Sequence, residues 1–91
     1  MQFRITPHSG YTPPADALET LWQRLGTRRD EVSFAKIGSE ITARTGDEAP
    51  VSMTRDERVE IGRRAVLDAV RDVCEGAADL KSDWFAVSSE L

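Results

Sequence analysis

The single histidine and the single tyrosine of this chain lie in one short segment, PHSGYTPP, which starts at Pro7. His8, Ser9 and Tyr11 offer polar groups that can do chemistry, and Gly10 gives the backbone freedom between them. Nucleophilic catalysis needs a third group to orient the imidazole, and the segment has no carboxylate. Three of the four prolines also lie here, which favours a stiff corner between two elements. We interpret the segment as such a corner.

A ligand site at the same corner is the alternative. The segment precedes a predicted helix, and the free N–H groups at a helix N-terminus attract anions. Under this alternative, the protein is an anion-binding or small-molecule-binding protein, or an enzyme. It would use the residues from His8 to Tyr11 and the adjacent sheet.

Metal and redox chemistry have little support in the sequence. One cysteine, Cys74, and one histidine are too few for a thiolate or imidazole metal site or for an internal disulfide. Cys74 lies at the apolar edge of a predicted helix, which indicates a buried, unreactive thiol. Asp79 and Asp83 lack an obvious third ligand. We therefore expect no catalytic residues, no metal and no cofactor.

The composition is that of an ordinary globular protein, with 40% hydrophobic and 31% charged residues among 91. This length predicts one domain over residues 1–91. The formal net charge of −4 argues against nucleic acid and anionic membrane surfaces as partners. No apolar run approaches the ~20 residues of a membrane span, and the N-terminus lacks a signal-peptide pattern. We expect a cytoplasmic protein, and the arginine-rich cation set is typical of GC-rich bacterial genomes.

The first half of the chain predicts a strand followed by a helix. Phe3 and Ile5 alternate with polar residues up to Pro7, which indicates a short strand. Thr12 has the chemistry of an N-cap and Pro13 suits the first helical position, so we expect a helix over Pro13–Leu25. One apolar face supports this helix, at Leu18, Leu21, Trp22 and Leu25.

The middle of the chain predicts a β-hairpin. Val32 to Ile37 alternate, and Gly38-Ser39 has the chemistry of a two-residue turn. Closing the hairpin there pairs Phe34 with Ala43 in the more apolar set, which should face the core. We expect the preceding Arg28–Glu31 segment to be a turn, and the following GDEAP segment to be a loop.

The second half predicts a long helix and a last strand. Thr54 and Glu57 form a T-x-x-E capping box, so we expect a helix over Arg55–Glu75 that Gly76 ends. Its buried stripe contains Val59, Val66, Val70, Val73 and Ala77. The DWFAVSS segment predicts the last strand, and the pattern leaves open whether Trp84 or Phe85 faces the core.

The resulting order is strand, helix, strand, strand, helix, strand. This is the ferredoxin-like split βαβ arrangement of an α+β fold, with a four-stranded antiparallel sheet and both helices on one face. The expected spatial order of the strands is 4-1-3-2. The fold hosts many unrelated functions, so it implies no activity by itself.

The uncovered face of this sheet is the second candidate for function. RNA-recognition modules with this arrangement stack bases on aromatic residues of the central strands, where this chain has Arg4 and Thr42 instead. An exposed Trp84 would favour a protein partner. We predict an interface formed by Arg4, Ala35, Ile37, Thr42, Arg44 and Trp84. The function we expect is a non-catalytic module that contacts another protein or a second copy of itself, as a homodimer.

Overall fold

A computed structural model describes residues 1–46 and 52–90. In chain order the elements are β1 (Gln2–Pro7), α1 (Ala17–Leu25), β2 (Arg28–Arg29), β3 (Val32–Ile37), β4 (Glu40–Arg44), α2 (Arg55–Cys74), a 3-10 turn (Ser82–Trp84) and β5 (Phe85–Glu90). The described residues therefore form an α+β structure with two α-helices and a five-stranded antiparallel sheet. The predicted GDEAP loop lies, apart from Gly46, outside the described residues.

The sheet has the strand order β2-β3-β4-β1-β5. β1 is an interior strand and pairs with β4 on one side, where Phe3 lies opposite Ala43. On its other side β1 pairs with β5, where Ile5 lies opposite Val87. β1 therefore connects strands from the two halves of the chain. The burial of its alternate side chains shows which face of the sheet is covered.

The expectation of four strands was wrong, because the described residues form five. The additional strand, β2, is the arginine pair that the sequence had predicted as part of a turn; Arg28 pairs with Ser33 and Arg29 with Val32. Only Asp30 and Glu31 form the turn, and Asp30 has φ 51°. Aspartate tolerates this left-handed conformation, so a two-residue hairpin forms without glycine.

Helix α1 begins at Ala17, four residues later than predicted. Thr12 is not its N-cap; Asp16 holds that position and makes no side-chain capping bond. The reason is the Pro13-Pro14 pair, because a residue that precedes proline is pushed from helical to extended angles. The predicted end at Leu25 is confirmed, and Gly26 follows with φ 73°.

The predicted hairpin of β3 and β4 is confirmed, and its register runs from Ser33 opposite Arg44 to the turn. Phe34 lies opposite Ala43 and Ile37 opposite Glu40, on either side of the Gly38-Ser39 turn. Gly38 has φ 61°, which a two-residue hairpin turn requires and which glycine adopts without strain.

Helix α2 begins as its capping box predicts. The Thr54 hydroxyl accepts a hydrogen bond from the Glu57 N–H at 3.2 Å, and the Glu57 carboxylate accepts one from the Thr54 N–H at 3.4 Å. The helix ends at Cys74, one residue earlier than expected, and Gly76 follows with φ 79°. Val66 and Val70 are buried, which confirms the predicted face.

One hydrophobic core lies between the helices and one face of the sheet. It combines buried residues of both helices, such as Leu21 and Val66, with buried residues of the sheet, such as Phe3 and Ile41. α2 approaches the sheet closely at Gly62, where an added Cβ would lie 2.7 Å from Cζ of Phe3. This contact limits how closely α2 can approach β1.

The last strand begins later than the DWFAVSS pattern predicts. Ser82–Trp84 form a 3-10 turn, and the strand runs from Phe85 to Glu90. Phe85 is buried and belongs to the core, whereas Trp84 is half-buried and packs against it. The choice that the sequence left open is therefore decided in favour of Phe85.

As judged on the described residues, neither α-helix has the length and apolar content that crossing a membrane requires.

Candidate functional site: the open face of the sheet

Strand alternation divides the sheet into a covered face and an open face. In β1, Phe3 and Ile5 point into the core, so Gln2, Arg4 and Thr6 point to the other side. The strand register then fixes the rest of this open sheet face. Its members in the described residues are Gln2, Arg4, Thr6, Arg28, Ser33, Ala35, Ile37, Glu40, Thr42, Arg44, Ala86, Ser88 and Glu90.

Arg4 lies at the centre of the open sheet face, between Thr42 and Ser88. Its Nε donates to Glu90 Oε1 at 2.7 Å and lies 3.1 Å from Glu40 Oε2. Gln2 donates to the other oxygen of Glu90 at 2.7 Å. The hydrogen bond with Glu90, followed by the charge of Glu40, raises the pKa of Arg4.

This arginine cluster spans three strands, because Glu40 lies on β4, Arg4 on β1 and Glu90 on β5. Exposed ion pairs contribute little stability each, so the main effect of the cluster is to hold these side chains in place. A guanidinium that already donates to carboxylates has fewer N–H groups left to donate to a phosphate. The guanidinium at the centre of the face is therefore already engaged by carboxylates of the same chain.

The β3 side of the open sheet face is less polar. Ile37 is 68% exposed, the largest exposed fraction among the described large hydrophobic side chains. Ala35 is exposed beside it, and the Thr42 hydroxyl donates to the Ala35 carbonyl at 3.2 Å. Because of that bond, the Thr42 hydroxyl already donates its proton within the sheet. The surface between β3 and β4 therefore presents methyl groups.

Arg44 lies at the opposite end of β4 from Glu40, opposite Gln2 and Ser33. Its side chain is exposed and makes no ion pair with any residue that the structure describes. The open sheet face thus has at its centre an arginine held by two carboxylates, and at its rim an arginine that forms no ion pair with a described residue.

Five of the six predicted interface residues lie together on this face: Arg4, Ala35, Ile37, Thr42 and Arg44. Trp84 does not, because it lies in the 3-10 turn before β5 and packs against the core. The cause is the late start of β5, which removes Trp84 from the strand alternation that placed it on the face. The predicted tryptophan anchor is therefore absent from the open sheet face.

Sequence reasoning missed the carboxylates that bind Arg4. Glu40 had a predicted place on the face, but the sequence did not pair it with Arg4. Glu90 lies one residue beyond the predicted end of the last strand. Continuing the alternation of Ala86 and Ser88 by one step would have found it.

The predicted ligand corner is an ordered, exposed turn. The His8 N–H donates to the Trp84 carbonyl at 2.7 Å, and the Tyr11 N–H donates to the His8 carbonyl at 3.1 Å. His8 Nδ1 accepts from the Gly10 N–H at 2.9 Å. The rings of His8 and Tyr11 form an edge contact with centroids 5.3 Å apart. Ser9 is exposed within this turn.

The predicted anion site depended on the corner lying at the N-terminus of the first helix, and it does not lie there. Helix α1 begins at Ala17, so its free N–H groups lie beyond Tyr11–Asp16 and not at the corner itself. The Gly10 and Tyr11 N–H groups are also occupied within the turn. These two backbone N–H groups therefore already have acceptors within the turn.

Other chemically capable groups do not form a reactive cluster. Burial raises the pKa of Cys74, which disfavours the nucleophilic thiolate. Within residues 1–46 and 52–90, no three His, Cys, Asp or Glu residues are grouped so that they could hold a metal ion. Asp79 is engaged instead by Arg24, whose two terminal nitrogens each donate to it at 2.8 Å.

Comparison of the chain with protein-family models, curated protein sequences and solved structures finds no match.

Proposed function

We propose that the protein is a non-catalytic protein-contact module that forms a homodimer through the open sheet face. The proposal includes a single ferredoxin-like domain, to which β2 adds a short edge strand. The order β3-β4-β1-β5 of the longer strands supports this arrangement. It also includes a cytoplasmic location, which the single free thiol of Cys74 supports.

The observation that carries the homodimer is the self-complementary arrangement along β4. Glu40 and Arg44 point to the open face from opposite ends of the strand, about 13 Å apart, with Thr42 midway. A two-fold axis that passes over Thr42 and runs perpendicular to β4 brings each Arg44 opposite the partner's Glu40. The same operation places Ile37 over the partner's Ser33, and so covers the most exposed isoleucine.

A homodimer of this kind is isologous, because the same patch serves both copies. The two acidic and three arginine side chains of the face provide both signs of charge on one surface. This mixture distinguishes the face from the chain as a whole, which carries a net charge of −4. Two whole molecules repel weakly through their net charge, whereas Arg44 of each open sheet face attracts Glu40 of the other.

The test is sedimentation of the purified protein and of Thr42→Glu at micromolar concentration. Arg4 is already bound by Glu40 and Glu90, so the new carboxylate would stay uncompensated in a desolvated contact. We expect wild type to have the mass of a dimer and Thr42→Glu the mass of a monomer. Both should keep the same thermal unfolding curve when dilute.

Thr12→Glu is the matched control, because it makes the same exchange at an exposed threonine outside the face. We expect it to remain a dimer. A monomeric wild type, or a dimer that survives Thr42→Glu, would show that the open sheet face is not a self-association surface.

A further inference from the structure

The outer side of α2 carries a shallow depression that the proposed dimer does not use. Its volume is about 470 Å³, and it is lined by three apolar residues, Met53, Ile61 and Ala65, and by four charged ones, Glu57, Glu60, Arg64 and Asp68. Ile61 is 53% exposed and points away from the buried stripe of the helix. An exposed branched side chain in a concave surface is what an apolar anchor residue of a partner would contact.

The charges around the depression are unequal. Glu60 forms ion pairs within the helix: its Oε1 lies 2.9 Å from Nη2 of Arg63 and 3.7 Å from Nη2 of Arg64. Glu57 and Asp68 make no ion pair with any described residue. They are 11 residues apart in the chain, which corresponds to about 16 Å along the helix axis. Two carboxylates that form no ion pair with a described residue therefore flank Ile61, and the Glu57 carboxylate also accepts hydrogen bonds from Thr54.

We propose that this depression binds a basic amphipathic helix of another protein. An apolar residue of that helix contacts Ile61, and two basic side chains about three helical turns apart reach Glu57 and Asp68. Arg64 is the one basic residue of the lining against three acidic ones, so the lining keeps a net negative charge. The inference concerns a surface distinct from the open sheet face and does not rest on the proposed homodimer.

A second copy of this chain fits the depression poorly. Two α2 helices packed antiparallel about its middle would set Glu57 against Asp68 of the partner subunit. Packed parallel, each acid would face its own equivalent. Like charges at a contact cost affinity, so the symmetric arrangement is disfavoured and a basic partner is favoured.

The depression is also formed in advance of binding. The capping box at Thr54 fixes the start of α2, and the buried Val66 and Val70 fix its opposite side on the sheet. A rigid platform of this kind loses little conformational entropy when a partner docks. The partner helix, in contrast, loses conformational entropy if it folds on binding.

The test uses a fluorescein-labelled synthetic peptide of ~18 residues. Its two arginines are ~11 residues apart, with two leucines between them on the same helical face. A control peptide has glutamates in place of both arginines. Binding is followed by fluorescence anisotropy, with the whole protein as titrant at low and at high salt.

Ile61→Lys is the test variant, and Ile37→Lys is its matched control on the open sheet face. Lysine is a good helix former, so the exchange at position 61 should leave α2 folded, which circular dichroism checks. We expect the arginine peptide to bind wild type saturably, about tenfold more weakly to Ile61→Lys, and within about twofold of wild type to Ile37→Lys. High salt should weaken binding to wild type.

Several results would overturn the inference. Among them are no saturable binding to wild type at about 1 mM protein, equal binding of the glutamate peptide, and unchanged binding to Ile61→Lys. A dimer that Ile61→Lys dissociates and Ile37→Lys does not would assign the depression to a second copy and overturn it too. A monomeric wild type that binds the arginine peptide would instead contradict the homodimer and support this inference.

Discussion

At the scale of single residues, Gly62 shows how one missing side chain determines a contact between layers. Glycine in a helix interior is unfavourable by about 1 kcal/mol relative to alanine. Here the cost is offset because the ring of the fully buried Phe3 occupies the space that a Cβ would fill. The glycine therefore serves packing between α2 and β1 and not flexibility.

We expect Gly62→Ala to destabilise the fold by roughly 1–3 kcal/mol despite the better helix propensity of alanine. The new methyl would lie 2.7 Å from Cζ and 2.8 Å from Cε2 of Phe3, and the enclosed ring has little room to move. Urea unfolding measures the effect. Gly46→Ala is the control, because its Cβ would meet no described atom within 4 Å and stability should hardly change. A stabilised Gly62→Ala would mean that α2 can move away from the sheet at low cost.

At the scale of elements, α2 combines a strong start signal with one buried stripe. The capping box fixes where the helix begins, and Val66 and Val70 fix which side faces the sheet. Two buried residues on this side, Gly62 and Ala69, are small, so the helix backbone lies close to the sheet. The buried residues of α2 therefore run from Gly62 to its last residue, Cys74.

Val70→Ala should cost roughly 1–2.5 kcal/mol, because it removes two methyl groups from a side chain that is 1% exposed and leaves a cavity. Urea unfolding monitored by tryptophan fluorescence measures it. Ile61→Ala, on the exposed side of the same helix, should change stability by less than about 0.5 kcal/mol. Similar costs for the two variants would contradict the assigned face.

A second element-scale feature is the link between α1 and the segment after α2. Arg24 donates to Asp79 through both terminal nitrogens at 2.8 Å, and this hydrogen bonding lowers the pKa of Asp79. Because the folded-state pKa is depressed, the stabilisation is present above the unfolded pKa of about 3.9 and is lost as the pH falls through the folded pKa.

Arg24→Gln should therefore raise the pKa of Asp79 towards ~3.9, as measured by carboxyl carbon NMR. The stability difference between wild type and this variant should be small and should shrink as the solution is acidified, since both groups are largely solvated. Arg58→Gln, which removes an exposed arginine with no ion pair to a described residue, should leave the pKa of Asp79 unchanged. An unmoved pKa in Arg24→Gln would show that the pair does not persist in solution.

At the scale of the whole molecule, one side of the sheet is covered by helices and the other is open. The covered side holds the core, and the open side holds the arginine cluster around Arg4 and the exposed Ile37. The depression on α2 lies on the outer surface of the helix layer. The two proposed contact surfaces therefore lie on opposite sides of the molecule, and both can be occupied at once.

A charge exchange tests the dimer geometry proposed above. Glu40→Arg alone and Arg44→Glu alone should each weaken the dimer, because each sets like charges against one another across the two-fold axis. The double variant Glu40→Arg/Arg44→Glu should recover much of the wild-type dimer mass in sedimentation. If the double variant is as monomeric as the single ones, the two residues do not meet across the interface.

The sequence by itself determined the elements whose signals are local. Strand alternation, the Gly38-Ser39 turn, the T-x-x-E capping box and the stripe through Val66 and Val70 each act within a few residues, so their predictions agree with the structure. The register of β3 and β4 also followed from the turn, because two residues of loop leave one way to close the hairpin.

Only the tertiary structure decided the features that depend on competition or on distant partners. Extended angles before Pro14 prevailed over the N-cap chemistry of Thr12, and pairing with β3 turned Arg28–Arg29 into a strand. Glu90 reaches Arg4 across 86 residues of chain, a contact that no local pattern encodes. Trp84 and Phe85 are adjacent and both apolar, and the point at which β5 starts to pair with β1 determined which of them enters the core.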